Sequence, residues 1–143
     1  MARPDPALLD PARYPFSRPI DPRFGDLDVN AHVNNVAIAS FFEDVRVRFS
    51  QANGFKTSSS GLPTMVASVA IEYLGEAYYP DALEVHSAIE RLGRTSHTIV
   101  QLIVQGTTTV AFARSVMVAV GDAGPAVLSE DFVRNAQTWM LRP

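Results

Sequence analysis

The sequence predicts an α+β domain in which one long buried helix packs against a curved antiparallel sheet. Three observations carry that expectation. Between Asn35 and Asn53 the apolar residues recur at helical spacing and wrap well around the cylinder. From Met65 to Val120 the period changes to two and stays there. Short turns separate the later period-two runs, and such turns join antiparallel neighbours.

Residues 1 to about 14 read as an arm, because four prolines by Pro15 interrupt helix and ladder pairing. Leu8 and Leu9 are its only candidates for docking. Phe16 to Arg23 is partly extended, and Pro19 and Pro22 confine it to a sheet edge or strand end. A dense polar stretch, Arg23 to Asn35, leads into the helix. Ile38, Phe41, Phe42, Val45, Phe49 and Ala52 form one apolar face. Asp44 and Arg48, four apart, are placed to pair on the wet side. Asn34 or Asn35 is the natural N-cap, and Gly54 the natural stop. Lys56 to Pro63 reads as a loop. Strands follow at Met65–Tyr73, Leu83–Leu92, Ser96–Gln105 and Val110–Val120, expected as a meander. Ser129 to Leu141 reads as a terminal helix capped by Ser129.

Composition excludes several classes of function. The chain has 143 residues, enough for one domain with a real core. A net charge of -3 argues against nucleic-acid binding, which relies on basic surface. With no cysteine there is no disulfide, thiol nucleophile or thiolate zinc site. No apolar run approaches the roughly 20 residues that span a bilayer, so no membrane partner is expected. The N-terminus lacks a signal peptide's apolar core, and a cytoplasmic protein is the simplest expectation.

The candidates for chemistry are few. His86 and His97 fall mid-strand and read as surface or hydrogen-bonded structural residues. No two histidines are spaced as ligands on one element, so no metal and no cofactor are expected. There is no G-x-S-x-G elbow, P-loop or G-x-G-x-x-G. What remains is Asp26, Asp28, His32, Asn34 and Asn35 at the start of the helix. Turn formation and capping alone account for such residues. The sharper reading is chemical. The helix's free N–H groups polarise a carbonyl oxygen. A carboxylate just upstream attacks the carbonyl carbon or deprotonates a water. An activated acyl group such as a thioester needs no more than that. The residues by themselves leave both readings open.

The run Asp26-Leu27-Asp28-x-x-x-His32-Val33-Asn34-Asn35, followed by Phe41-Phe42-Glu43-Asp44-x-Arg46, closely resembles the hotdog-fold acyl-CoA thioesterases related to 4-hydroxybenzoyl-CoA thioesterase. The resemblance continues through Ile71-Glu72-Tyr73-Leu74, Tyr79-Pro80-Asp81-x-Leu83-Glu84-Val85 and Leu92-Gly93-Arg94-Thr95-Ser96. It implies a sheet wrapped around a long helix. It divides the chain into a flexible arm over 1–14 and a single hotdog thioesterase domain over 15–143. It further implies a homodimer or homotetramer with active sites between subunits, and an acyl-CoA substrate.

By position, the resemblance puts the catalytic acid on Asp28 and the carbonyl-polarising N–H on Asn35. Asp26 becomes a supporting residue. His32 belongs to the motif as a catalytic or loop-fixing residue, and Asn34 shares the carbonyl site with Asn35. Glu43 is a weaker catalytic candidate, with pairing to Arg46 as its alternative. Arg91 and Arg94, beside a strand turn, are candidate contacts for the phosphates of coenzyme A. The sequence departs from the family at Ala31, where relatives usually carry Gly; a positive φ there would strain Ala31. Val36-Ala37-Ile38 replaces the usual aromatic, which alters the acyl pocket. Two rivals to the acyl-CoA thioesterase stand: an acyl-carrier-protein thioesterase, and a non-catalytic acyl-CoA-binding module on the same fold.

Overall fold

The computed structural model describes residues 3–58 and 61–143. Residues 1, 2, 59 and 60, parts of the expected arm and loop, lie outside them. The elements are β1 (Phe16–Ile20), α1 (Asn35–Ala52), α2 (Phe55–Ser58), β2 (Thr64–Tyr73), β3 (Leu83–Leu92), β4 (Ser96–Gln105), β5 (Thr108–Gly121), β6 (Gly124–Pro125) and α3 (Glu130–Ala136). The sheet order is β1-β3-β4-β5-β2, antiparallel throughout, with β6 folded back on the end of β5.

The expected meander holds only for β3, β4 and β5. β2 lies beside β5 at the far edge and not beside β3. The reason is the link. Residues 74–82 are too many for a tight hairpin, whereas β4 and β5 are joined by Gly106-Thr107 alone, with Gly106 at φ 59. The link carries the chain past the whole meander.

α1 begins at Asn34, whose side chain accepts the Ala37 N–H at 2.7 Å, and stops at Gly54 with φ 85. It lays Ala37, Ile38, Phe41, Phe42, Val45 and Phe49 on the sheet. At its first half they pack with Leu83, Val85, Ile103 and Ala111. Toward its C-terminal end Phe49, and just beyond it Phe55, pack with Ile89, Ile99 and Phe132. Asp44 and Arg48 pair at 2.8 Å as their spacing predicts. Among the described residues no helix is long and apolar enough to cross a membrane.

Three local expectations need correction. Over residues 3–14 the chain forms 3-10 turns at Pro6–Leu9 and Pro11–Arg13. Asp5 and Asp10 each cap the turn that the following proline starts. These turns bring Leu8, Leu9 and Tyr14 onto the outer face of the sheet, over Ala88, Val100, Leu102 and Phe112. The second concerns the loop expected from Lys56, which begins instead as the helical turn α2. The third is the terminal helix, which ends at Ala136 and tightens to a 3-10 turn over Gln137–Trp139. Met140 then bridges to Ile89, and the Leu141 N–H donates to the Ile89 carbonyl at 2.8 Å. β1 pairs only with Leu83–Ser87, so the rest of that edge of β3 is open to this segment.

Because the sheet is covered on both faces, the histidines of β3 and β4 are not surface residues. His86 is 9% exposed, 3.6 Å from Glu84, and burial lowers its pKa. His97 is 1% exposed, its ring nitrogens have no hydrogen-bond partner among the described residues, and the ring sits between those of Phe55 and Phe132 at 4.5 and 4.8 Å. Desolvation pushes its pKa down to about 4.

Candidate active site

The polar stretch folds as a pinched loop. Phe24–Asp26 is a 3-10 turn held by the buried Asp26 carboxylate. That carboxylate accepts the Arg23 N–H at 2.8 Å and the Arg23 guanidinium at 3.3 Å. The Asp26 carbonyl accepts the Asn34 N–H at 2.8 Å, and Leu27 bridges Val33. Asp26 therefore closes the base of the loop.

Asp28 sits within the pinch and is exposed. Its N–H donates to the His32 carbonyl at 2.8 Å. Its Oδ1 accepts the N–H groups of Asn30 at 2.8 Å and His32 at 3.2 Å. Its Oδ2 has no partner among the described residues. One oxygen thus orients the carboxylate while the other keeps its full acceptor capacity. Ala31 closes the turn at φ 61, the only non-glycine residue with positive φ among those described. An L side chain there costs on the order of 1 kcal/mol.

His32 ties this loop to the link between β2 and β3. Its Nε2 is 3.1 Å from a Glu76 carboxylate oxygen, which also accepts the Tyr78 hydroxyl at 3.1 Å. The His32 ring stands edge-on to Tyr78, with centroids 5.2 Å apart. The bond to Glu76 raises the Tyr78 pKa. Next to it, the Val33 N–H donates to the Ala77 carbonyl at 2.9 Å. Asn34 then caps α1, and Asn35 takes the first helical position, exposed and with an N–H that has no intrahelical acceptor. The Tyr73 hydroxyl of β2 donates to the Asn35 carbonyl at 3.1 Å.

Asp28, His32, Asn34 and Asn35 are therefore gathered in one loop and the helix it starts. Arg91 and Arg94 are not beside them. They lie at the end of β3 opposite the 74–82 link, about 27 Å along the strand from Leu83 to Arg91. Glu43 is exposed on α1, and it and Arg46 form no ion pair among the described residues. No group of three or more histidine or acidic side chains among the described residues is arranged to hold a metal. Sequence reasoning missed Tyr73, Glu76 and Tyr78. Tyr73 stood in a quoted motif without a role. Nothing distinguishes Glu76 in the sequence from any other exposed glutamate.

Residues 22–135 match the profile of the thioesterase-like superfamily. A structure described as that of a predicted thioesterase from Bacillus stearothermophilus is 28% identical, with a TM-score of 0.79, covering 90% of this chain and 98% of that one. A thioesterase from Thermus thermophilus, complexed with coenzyme A and Zn, is also 28% identical, with a TM-score of 0.80, covering 92% and 98%. The uncharacterized protein YsmA of Bacillus subtilis is 26% identical over 86 residues. That match takes in 60% of this chain and 58% of the Bacillus subtilis protein.

Proposed function

The chain belongs to the thioesterase-like superfamily and has the hotdog fold, and from that premise we propose that it hydrolyses acyl-CoA thioesters with Asp28 as the working carboxylate. The observation that carries this reading is the state of Asp28. Its Oδ1 is held by two loop N–H groups and its Oδ2 has no partner among the described residues, a few residues before the start of a buried helix. Such a carboxylate is fixed in direction and still able to take a proton or attack carbon.

In the water-activating form of the reaction, Asp28 takes a proton from water as the oxygen adds to the thioester carbonyl. The carbonyl oxygen becomes an oxyanion and accepts the Asn35 N–H at the positive end of α1. When the oxyanion collapses the C–S bond breaks. The departing thiolate, a good leaving group, takes the proton from Asp28. Asn34 keeps the helix start open for this by capping the Ala37 N–H. His32 and Glu76 hold the loop against the 74–82 link. No metal or cofactor is needed for these steps.

A second copy completes the reading. β2 is an edge strand with Met65, Val69 and Tyr73 about half exposed, and Val36 and Val47 of α1 are exposed as well. Two copies joined antiparallel along β2 bury these residues and enclose the loop. Coenzyme A, bound by the Thermus thermophilus relative, is the thiol carrier this reading assigns. Arg91 and Arg94 then contact its phosphates only if a long ligand or the second copy spans the distance from the loop.

The test is a panel of acyl groups, each offered on coenzyme A and on acyl carrier protein, with thiol release followed by a trapping dye. The reading expects turnover on coenzyme A, with at least one acyl group preferred. Turnover on the carrier protein alone would assign a protein partner instead. Binding of acyl-CoA without any turnover would make the chain a non-catalytic acyl-binding module.

A further inference from the structure

α1 and β2 enclose a second feature, away from the polar loop. It is a cavity of about 230 Å³ whose lining includes Glu43, Arg46, Val47, Ser50, Met65 and Met117. Arg46 lies eleven residues after Asn35, about 16 Å farther along the helix. Its side chain reaches inward, and the residue is 6% exposed. A guanidinium carries five donors. This one makes a single side-chain hydrogen bond, to the Ser115 hydroxyl at 3.4 Å, and no ion pair among the described residues. Ser50, one turn on, is equally buried, and its Oγ has no partner among the described residues. Burial lowers the pKa of Arg46, with the Glu43 carboxylate acting against it.

A buried guanidinium whose nearby carboxylate, Glu43, stays beyond ion-pair distance is costly, and a buried hydroxyl without a partner among the described residues adds to that cost. Both border an opening large enough to hold the group they lack. We propose that this cavity binds a small monocarboxylate with an apolar body. The head lies on the Arg46 fork and the Ser50 hydroxyl, and the body lies against Val47, Met65 and Met117. The fork geometry of guanidinium matches a carboxylate's two oxygens. The volume lies below the 300–1,000 Å³ or so of pockets for drug-sized ligands, which limits the guest to a small acid. Glu43 among the lining residues disfavours a dianion such as phosphate. The proposal does not depend on Asp28 or on thioester hydrolysis. The carboxylate that satisfies Arg46 could otherwise come from Glu43 of a second copy, and the experiment separates that source.

Sodium benzoate and sodium octanoate are titrated into the full chain by calorimetry, with benzamide as the uncharged control. The expected result is saturable binding of at least one acid, with benzamide weaker by about tenfold or more. Arg46→Met should weaken the acid by about tenfold or more, and Asp28→Asn should leave its affinity unchanged. Should Arg46→Met fail to fold, Val47→Trp fills the cavity and should abolish binding while the fold and the oligomeric state survive, both of which are measured because Val47 also lies on the face that a second copy is proposed to cover. The proposal is overturned if neither acid binds. It is equally overturned if benzamide binds as well as benzoate, or if Val47→Trp leaves binding intact. Loss of binding in Asp28→Asn would place the acid at the loop instead. If no acid binds and Glu43→Gln converts a dimer to monomer, the second copy's carboxylate is the occupant and no ligand site exists.

Discussion

The two ends of α1 keep histidines in opposite circumstances. At the N-terminal end His32 lies in an exposed loop, and its ring nitrogen meets Glu76 at 3.1 Å. Beyond the C-terminal end His97 is buried at 1% exposure between Phe55 and Phe132, with neither ring nitrogen partnered. The loop partners most of its polar groups, leaves the Asp28 Oδ2 and the Asn35 N–H open among the described residues, and holds a strained Ala31. The aromatic cluster treats an imidazole as another ring to pack. The exposed polar residues of the loop lie at the end proposed to be reactive. The buried polar residue at the other end belongs to stability, and the same residue type at the two ends should answer different measurements.

The largest effect should come from the cluster. Phe132→Ala removes a ring that is 1% exposed and touches both Phe55 and His97. It should cost about 3–5 kcal/mol in chemical denaturation. At temperatures where the variant stays folded, turnover should be retained. A loss of turnover with the fold intact would join the two ends that are separated here.

Acid is the next largest lever. His97 has a folded-state pKa of about 4, below the 6.5 of an exposed imidazole. Between those values the unfolded chain binds the proton and the folded chain does not. Stability should therefore fall as pH drops from 6.5, with the loss complete near pH 4 at roughly 3 kcal/mol. Burial lowers the pKa of His86 too and adds in the same direction. His97→Leu should flatten the profile over this range. An unchanged profile would mean that His97 is hydrated or partnered in solution.

Smaller effects belong to the loop. Ala31→Gly relieves the cost of φ 61 but loosens the unfolded chain, so the net gain should be about 0.5–1 kcal/mol. A loss of stability would mean that the methyl group packs against something. Glu76→Gln removes the charge facing His32 across a partly exposed contact. It should change stability by less than about 1 kcal/mol. If His32 positions the loop, the variant should also lower turnover several-fold.

The parts legible in the sequence are those whose signal is periodic or local. β3 and β4 run over Leu83–Leu92 and Ser96–Gln105, as alternation and turn residues predict. The start of α1 follows from an asparagine able to cap it. The position of β2 was hidden because strand order depends on where a nine-residue link travels (74–82), not on the composition of either strand. The burial of His86 and His97 was hidden for a related reason. Alternation shows two faces to a strand but not what covers each along its length, and here the arm covers the outer face at His86 while α2 and α3 extend the helical layer over His97. At the candidate site the polar run was visible, and Ala31 stood out because relatives usually carry Gly there, but only the structure shows its φ of 61. Glu76 was not visible, since its part comes only from a tertiary contact with His32.

The measurement that bears most directly on the account is steady-state hydrolysis of the best acyl-CoA substrate by Asp28→Asn, with denaturation of the same preparation. Asparagine keeps an oxygen for the Asn30 and His32 N–H groups, so the loop should survive and stability should change by less than about 0.5 kcal/mol. The amide can neither accept the water's proton nor attack, so kcat should fall by roughly 10²–10⁴-fold. Full activity in a folded Asp28→Asn protein would contradict the account and return Asp28 to the role of a turn residue.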